Sequence, residues 1–266
     1  MILSLDSAII LTVNGSRGVI LLAKKAFQKL FKLILLILVF LVCIYFFLHS
    51  SFFNIEKLYT TGTQQITEAE VLSIASIKEG QNIFKVDSKL STQTIQVHPL
   101  VKNVQIIRHL PRTLEIKIVE RQIWAIIPFD DYFLCIDDEG IILDKRNKVD
   151  FSTNIFINFA KLPAQFNLGQ AVEPDGVALI KQIWTSIDKS DQQLISDFYY
   201  NEKDEVVIYT INSTEIRYGN KDRVEEKQAF MAEVLKLEQN YVKSGEDVLE
   251  YIDLRFKGQP IVKMKE

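Results

Sequence analysis

The stretch Leu33–Leu48, LILLILVFLVCIYFFL, carries no charge, no glycine and no proline. A membrane-spanning helix needs roughly 20 apolar residues, with a lower limit of about 17. The run is slightly shorter, but Lys32 before it and Phe52 and Phe53 after it suit the two interfaces of a bilayer, where long cations and aromatic rings gather. A helix buried in a soluble core usually has a polar face, which this run lacks, so we predict a transmembrane helix over residues 31–50.

The charges that flank this helix predict its orientation. Basic residues precede it, whereas only His49 and the offsetting pair Glu56 and Lys57 follow it closely. Since cytoplasmic segments carry the excess of Lys and Arg, we expect the N-terminus inside the cell and the rest of the chain outside. No A-x-A-like cleavage site follows the run, so we expect an uncleaved anchor. The basic residues are Arg17, Lys24, Lys25, Lys29 and Lys32.

Composition restricts what the rest of the chain can be. Its 266 residues allow one or two domains beyond the anchor, and a net charge of −3 gives no basic footprint for nucleic acid. Cys43 lies in the apolar run and Cys135 beyond it, so they cannot pair, and the exported part is expected to fold without an internal disulfide. Residues 1–30 are apolar but interrupted, and they are predicted to form a disordered or interfacial cytoplasmic tail.

Residues 52–121 are predicted to form a β-α-α-β-β unit. Thr67 and Glu70 stand in capping-box spacing at the start of the first helix. In the last strand Leu114, Ile116 and Ile118 alternate with charged residues and are expected to face inward. The predicted elements are strands over Phe52–Tyr59, 101–110 and 113–121 and helices over 66–76 and Ser88–Val97.

Beyond residue 122 the pattern changes to short strands, which predicts a mixed β domain with two flanking helices over 122–266 and an overall α+β class. Strands are expected at 124–129, 132–137, 140–144 and 155–159, followed by a meander over Ile195–Tyr200, Val206–Thr210 and Thr214–Tyr218. One helix begins near Pro174, with a core face of Val177, Ile180, Ile183, Trp184 and Ile187. The other covers Lys221–Tyr241, with a buried stripe of Phe230, Val234, Leu237 and Tyr241. Two segments, 249–256 and 260–265, end the chain.

The long ordered run Pro99–Arg121 resembles the POTRA domain of the FtsQ/DivIB family of bacterial cell-division proteins. FNIEKLYTTG at 53–62, EGQNIFKVD at 79–87 and the ending YIDLRFKGQPIVK at 251–263 resemble the same family. The resemblance implies a cytoplasmic tail over 1–30, a span over 31–50, a POTRA domain over 52–121 and an FtsQ/DivIB-type β domain over 122–266. It implies a bitopic scaffold of the divisome, in the plasma (inner) membrane at the division septum.

The resemblance also implies partners. The β domain is expected to recruit the coiled-coil division proteins FtsB/DivIC and FtsL, so that septum formation can proceed, and the POTRA domain is expected to meet other divisome proteins. The pair Glu120-Arg121 falls at the junction of the two domains. A strand-end salt bridge is one interpretation; we prefer a structural role in orienting the domains over a catalytic one.

No catalytic constellation is visible. The three histidines are isolated, and no H-E-x-x-H, G-x-S-x-G, P-loop or Gly-rich dinucleotide turn is present. Cys135 lies mid-strand and is predicted to be buried and inert. The acidic pairs and triplets at Asp130-Asp131 and Asp137–Glu139 lack the spacing of a calcium loop and are interpreted as turns. We therefore predict a binding protein rather than an enzyme, with no cofactor and no metal.

The last strand is the candidate partner-binding site. A terminal strand at a sheet edge leaves unpaired backbone N–H and C=O groups, which can pair with a partner strand by β-augmentation. Alternatively Pro260, Lys263 and Lys265 protect the edge against aggregation, and both interpretations can hold. The resemblance implies that Arg255 pairs with an acidic residue of the partner. The contact residues that the resemblance implies are Arg255, Phe256, Gly258, Ile261, Val262 and Lys263.

Two other functions stay open at this level. One is a POTRA chaperone-like module that handles exported polypeptides by strand addition, which a second POTRA repeat or a β-barrel would favour. The other is a membrane-anchored cell-wall hydrolase, which a metal-dependent or serine-reactive activity of the exported part would favour.

Overall fold

The computed structural model describes the backbone of residues 5–150, 155–244 and 249–265, with side chains from residue 27 onward. Its helices are α1 (Leu5–Leu48), α2 (Glu68–Ala75), α3 (Ser88–Gln96), α4 (Pro174–Ser186), α5 (Lys189–Gln192) and α6 (Val224–Lys243). Its strands are β1 (Lys57–Thr61), β2 (Val101–His109), β3 (Thr113–Glu120), β4 (Ala125–Phe129), β5 (Tyr132–Ile136), β6 (Ile142–Arg146), β7 (Ile155–Phe159), β8 (Ile195–Tyr200), β9 (Val206–Thr210), β10 (Glu215–Gly219), β11 (Leu249–Asp253) and β12 (Ile261–Met264).

Helix α1 contains the predicted apolar run. Over Phe27–Leu48 its mean hydropathy is 3.0 and none of its surface is buried, and in the described part of the chain it is the one helix long and apolar enough to cross a membrane. The helix begins at Leu5, so of the two expectations for residues 1–30 a disordered tail is wrong for the backbone from that residue on, and an interfacial tail stays a prediction.

The predicted β-α-α-β-β order is confirmed, and its three strands form a sheet in the order β1-β3-β2. The hydroxyl of Thr67 accepts a hydrogen bond from the Glu70 N–H at 3.3 Å, as the capping box predicts. Leu114, Ile116 and Ile118 are buried, also as predicted. The strand expected at Phe52–Tyr59 is shorter, because Phe53 N–H bonds back to the Ser50 carbonyl and closes a 3₁₀ turn before β1.

The chain divides into two compact units. The first contains Met1–Tyr59, Ile77–Ser88 and Ile106–Glu115, and the second contains Thr60–Ser76, Lys89–Gln105 and Ile116–Glu266. This division runs through residues 52–121 rather than along their boundary, so the POTRA limits drawn from the sequence stay a prediction.

The second unit is built on a nine-stranded sheet in the order β12-β11-β10-β9-β8-β7-β4-β5-β6. The predicted meander is confirmed, since β8, β9 and β10 are consecutive antiparallel neighbours. Helices α4 and α6 contribute to the core that covers one face of this sheet. The predicted face of α4 lies in that core, where Val177, Ile180, Ile183 and Ile187 are buried and Trp184 packs beside them.

Helix α6 buries the predicted apolar stripe in part, since Val234 is fully buried and Phe230, Leu237 and Tyr241 are half-buried and pack against the core. The other fully buried side chains are Met231, Leu235, Lys227 and Glu238. The Lys227 ammonium donates to the carbonyl oxygens of Tyr218 and Asn220 at 3.1 and 2.6 Å, while Glu238 accepts a hydrogen bond from the Thr210 hydroxyl. Burial lowers the pKa of Lys227 to about 8. The fully buried face of α6 thus contains two polar side chains that the apolar pattern does not predict, and both have hydrogen-bond partners outside the helix.

An ion-pair network surrounds the β5–β6 turn in the second unit. Arg121, at the end of β3, pairs with Asp137 and with Glu139 at 2.7 Å. Lys102 of β2 and Lys181 of α4 both reach Asp138, at 2.8 and 2.6 Å. The two cations lower the pKa of Asp138 to about 2 by hydrogen bonding. The segment Asp137–Glu139 forms the predicted turn, since Gly140 N–H bonds to the Asp137 carbonyl. The side chains of this turn also connect β2, the end of β3 and α4.

Asp138→Asn is expected to destabilise the folded chain by about 1 kcal/mol at pH 7, because the pairs it breaks are partly solvated. The depressed pKa of Asp138 means that this stabilisation is present above its unfolded pKa of about 3.9 and is lost as pH falls toward about 2. Urea unfolding of both proteins should therefore show a gap at pH 7 that closes near pH 2. Asp144→Asn, which breaks only the exposed pair with Arg146, is the control and should leave stability nearly unchanged.

Candidate partner-binding site

Strand β12 forms one margin of the nine-stranded sheet. It pairs antiparallel with β11, and no strand of the described residues lies on its other side. All four of its residues are exposed. The structure therefore places Ile261, Val262 and Lys263 on an open sheet edge, and the strand is available for pairing.

The direction of the backbone groups along this edge follows from one hydrogen bond. Leu254 N–H donates to the Arg217 carbonyl at 3.0 Å, so Leu254 and, two residues earlier, Ile252 point toward β10. Since alternate residues of a strand point to opposite sides, Tyr251 and Asp253 point toward β12. Their register partners, Lys263 and Ile261, therefore bond with β11.

The residue between those partners points away from the sheet. Val262 directs its N–H and C=O groups outward, where an added strand would lie, whereas the register is irregular beyond Lys263, where Met264 lies opposite Leu249. Pro260 occupies the preceding outward position and has no N–H to offer. Val262 is thus the first backbone donor along the free edge.

The two faces of β12 differ in chemistry. Val262 lies opposite Ile252, which belongs to the main core, so its side chain extends the apolar face. On the other face Lys263 pairs with Glu250 at 2.8 Å, and this bond raises the pKa of the lysine. There the Tyr251 ring lies 3.7 Å from the Arg217 guanidinium and 5.7 Å from the Lys263 ammonium.

Arg255 is already engaged within the chain. Its guanidinium donates hydrogen bonds to the Asp253 carboxylate from Nε at 3.0 Å and from Nη2 at 2.7 Å, and Nη1 lies 3.5 Å from Glu205. Burial alone would raise the pKa of Asp253, but its hydrogen bonds from Arg255 outweigh that effect and lower it. The pairing of Arg255 with an acidic residue of a partner stays a prediction. In the structure Arg255 stiffens the chain between β11 and β12.

The turn that leads into β12 is held by two residues that the sequence analysis missed. Arg223, just before α6, donates to the carbonyl oxygens of Arg255 and Phe256 at 2.7 and 2.9 Å. Glu226 accepts the Gly258 N–H at 3.1 Å, and Gly258 has a φ of +98°, a conformation that favours glycine. These contacts leave the Phe256 side chain exposed. No local pattern signals contacts across some thirty residues, whereas the Asp253–Arg255 spacing, on one side of a strand, could have been recognised.

Other chemistry-bearing residues do not converge. Cys135 is fully buried, and burial raises the pKa of its thiol, which disfavours the nucleophilic thiolate. Within residues 27–150, 155–244 and 249–265, no three His, Cys, Asp or Glu side chains are grouped so that they could hold a metal ion.

Two sequence families match this chain. The family described as "POTRA domain, FtsQ-type" matches residues 53–121. The family described as "Cell division protein FtsQ/DivIB, C-terminal" matches residues 125–255. The second match ends before the turn into β12, so the open edge is argued from its geometry.

Individual relatives are also named as the cell division proteins DivIB or FtsQ. The cell division protein DivIB of Clostridium botulinum (strain Loch Maree / Type A3) is 25% identical over 247 residues, which are 88% of this chain and 91% of the relative. The cell division protein FtsQ of Corynebacterium glutamicum is 28% identical over 189 residues, 70% of this chain and 78% of the relative. A solved extracytoplasmic domain of DivIB from Geobacillus stearothermophilus aligns with 46% of this chain and 97% of its own length, at 12% identity and a TM-score of 0.31. That score is too low to support a structural argument.

Proposed function

Because the chain belongs to the FtsQ/DivIB family of bacterial cell-division proteins, we propose that it is a single-pass membrane scaffold of the divisome that captures a partner strand on the outer edge of β12. Phe27–Leu48, the one helix of the described residues that is long and apolar enough to cross a membrane, supplies the membrane anchor. The basic residues before this helix support an orientation with the N-terminus in the cytoplasm and the chain beyond the helix outside. The family points to the division septum as the place of action.

The single observation that supports strand capture is the outward direction of the Val262 backbone groups on an edge that no further strand of the described residues covers. An added strand pairs with these groups, and each backbone hydrogen bond contributes a net 0.5–1.5 kcal/mol, roughly. The side chains of β12 then select the sequence. A partner strand should alternate apolar residues, on the side of Val262 and Met264, with polar or acidic residues beside Lys263.

Coiled-coil division proteins of the FtsB/DivIC and FtsL kind are the proposed partners of this edge, and other divisome proteins are the proposed partners of the POTRA-type part. The role is recruitment and positioning without chemical turnover. The relatives described above are named as cell division proteins and not as enzymes, which agrees with this role.

Site-specific photocrosslinking in the native membrane tests the proposal. A photoreactive phenylalanine analogue at Ile261 should yield one dominant covalent adduct, which mass spectrometry should identify as a coiled-coil division protein. The control position is Ile211, which is also exposed but lies in the turn between β9 and β10. Equal adducts from both positions, or none from Ile261, would exclude β12 as the docking edge.

A further inference from the structure

In the first unit a buried side chain joins the end of α1 to the folded part. Asn82 donates through Nδ2 to the carbonyl oxygens of Leu48 and Ser50 at 2.9 and 3.2 Å, and its Oδ1 accepts the Phe84 N–H at 3.0 Å. The last carbonyls of a helix have no partner within the helix, so Asn82 satisfies the Leu48 carbonyl that the membrane helix leaves open, and it also bonds to the Ser50 carbonyl just beyond the helix. The 3₁₀ turn Ile83–Lys85 is therefore tied to the point where the helix ends.

A chain of aromatic rings also connects the end of α1 to the 3₁₀ turn Ile83–Lys85. Phe47 lies in the last turn of the apolar helix, and its ring centroid is 5.2 Å from that of Phe53. Phe53 is buried and lies 5.1 Å from Phe84 and 5.0 Å from Phe52. The outer rings of this chain are open, since Phe52 is 46% exposed and Phe84 is 40% exposed.

The β2–β3 turn contributes a third exposed apolar side chain, Leu110, and the cation Arg112. Arg112 donates through Nε to the Phe52 carbonyl at 2.9 Å, and its guanidinium lies 5.4 Å from the Phe52 ring. Leu110, two residues earlier in the same turn, is 58% exposed. Arg112 also pairs with Glu56, and Lys85 is an exposed cation next to Phe84.

We infer that Phe52, Phe84 and Leu110 form a lipid-contacting surface that enters the interface of the bilayer crossed by α1. The headgroup region extends about 5–8 Å beyond the hydrocarbon core on each side, and Phe84 is two ring contacts from a residue at the end of the membrane helix. Aromatic rings concentrate at this depth, and neighbouring Lys and Arg side chains reach lipid phosphates. The surface rests on the membrane anchor alone, so it stands or falls independently of strand capture at β12.

Bromine-labelled lipid tests the contact. The full chain is placed in phospholipid nanodiscs, one copy per disc, with Phe84→Trp or Leu110→Trp and with brominated phosphatidylcholine as the quencher. Emission of the wild type, which has Trp124 and Trp184, is subtracted. The matched control is Val97→Trp, a position that is 80% exposed at the end of α3 and outside the cluster.

The fraction of added emission quenched at residues 84 and 110 is expected to be at least twice that at residue 97. Equal quenching at the three positions would overturn the inference. So would protection of the indole of the Phe84→Trp variant from aqueous iodide without quenching by bromine, because that outcome indicates a protein cover. Leu110→Trp lies in an exposed turn and keeps the test valid if Phe84→Trp misfolds, and the single copy per disc excludes cover by a second copy.

Discussion

Val262→Pro is expected to lower the affinity for the captured partner strand about tenfold or more while the melting temperature stays near that of the wild type. The substitution removes the first outward N–H of the free edge and places a ring where an added strand would lie. One lost hydrogen bond and the steric conflict together cost about 1.4 kcal/mol or more, which corresponds to a factor of ten. The pairing of β12 with β11 survives, because Val262 takes no part in its hydrogen bonds. Co-purification from the native membrane and a thermal melt of the purified chain measure the two effects.

Ile261→Pro is the matched control, since it places the same ring one residue earlier on the inward-pointing side. It removes a bond to β11, so it should lower the melting temperature as well as partner capture. Val262→Ala keeps the N–H and should retain most of the affinity. Unchanged capture with Val262→Pro would show that the partner docks elsewhere.

Glu120→Ala is expected to destabilise the chain by about 3 kcal/mol. The Glu120 carboxylate accepts the backbone N–H groups of Gln64, Gln65 and Ile66 at 2.7 to 3.1 Å, and the residue is buried. Alanine leaves three donors without their acceptor, and that of Ile66 is buried, where an unsatisfied group costs roughly 1–3 kcal/mol. The melting temperature should fall by about 6–12 °C. Glu79→Ala, at an exposed position, should change stability by less than about 0.5 kcal/mol.

The pH dependence of stability distinguishes the contribution of the Glu120 charge from that of the side-chain shape. Burial raises the pKa of this carboxyl, but the three backbone hydrogen bonds and the nearby His98 together lower it below the ordinary value. A depressed pKa stabilises the fold above the unfolded pKa of about 4.3, and that contribution is lost as pH falls through the folded value. The stability gap between the wild type and Glu120→Gln should therefore be open at pH 7 and narrower at pH 3. A gap that does not change with pH would contradict the role of the charge.

The α+β order could be predicted from the sequence because short periodic segments and capping residues such as Thr67 act locally. The buried face of α6 could not, because Lys227 and Glu238 are accommodated by hydrogen-bond partners on other elements that no local pattern reveals. The same limit applies to the site. The position of Ile261 and Val262 in a late strand followed from the chain order, whereas the direction of their N–H groups required the pairing of β11 with β10. The support from Arg223 required α6 and the turn after β11 to lie side by side, whereas the pairing of Arg255 with Asp253 is local in the sequence.

Pro260 restricts the register in which an added strand can pair with β12. An incoming strand that slides two residues along β12 toward this proline, and so keeps its side-chain faces, would meet a position with no N–H to donate, whereas Val262 offers one. Misaligned docking thus forfeits a bond that correct docking keeps. The ring of Pro260, which has no partner-specific contact of its own, can therefore determine which segment of the partner pairs with β12.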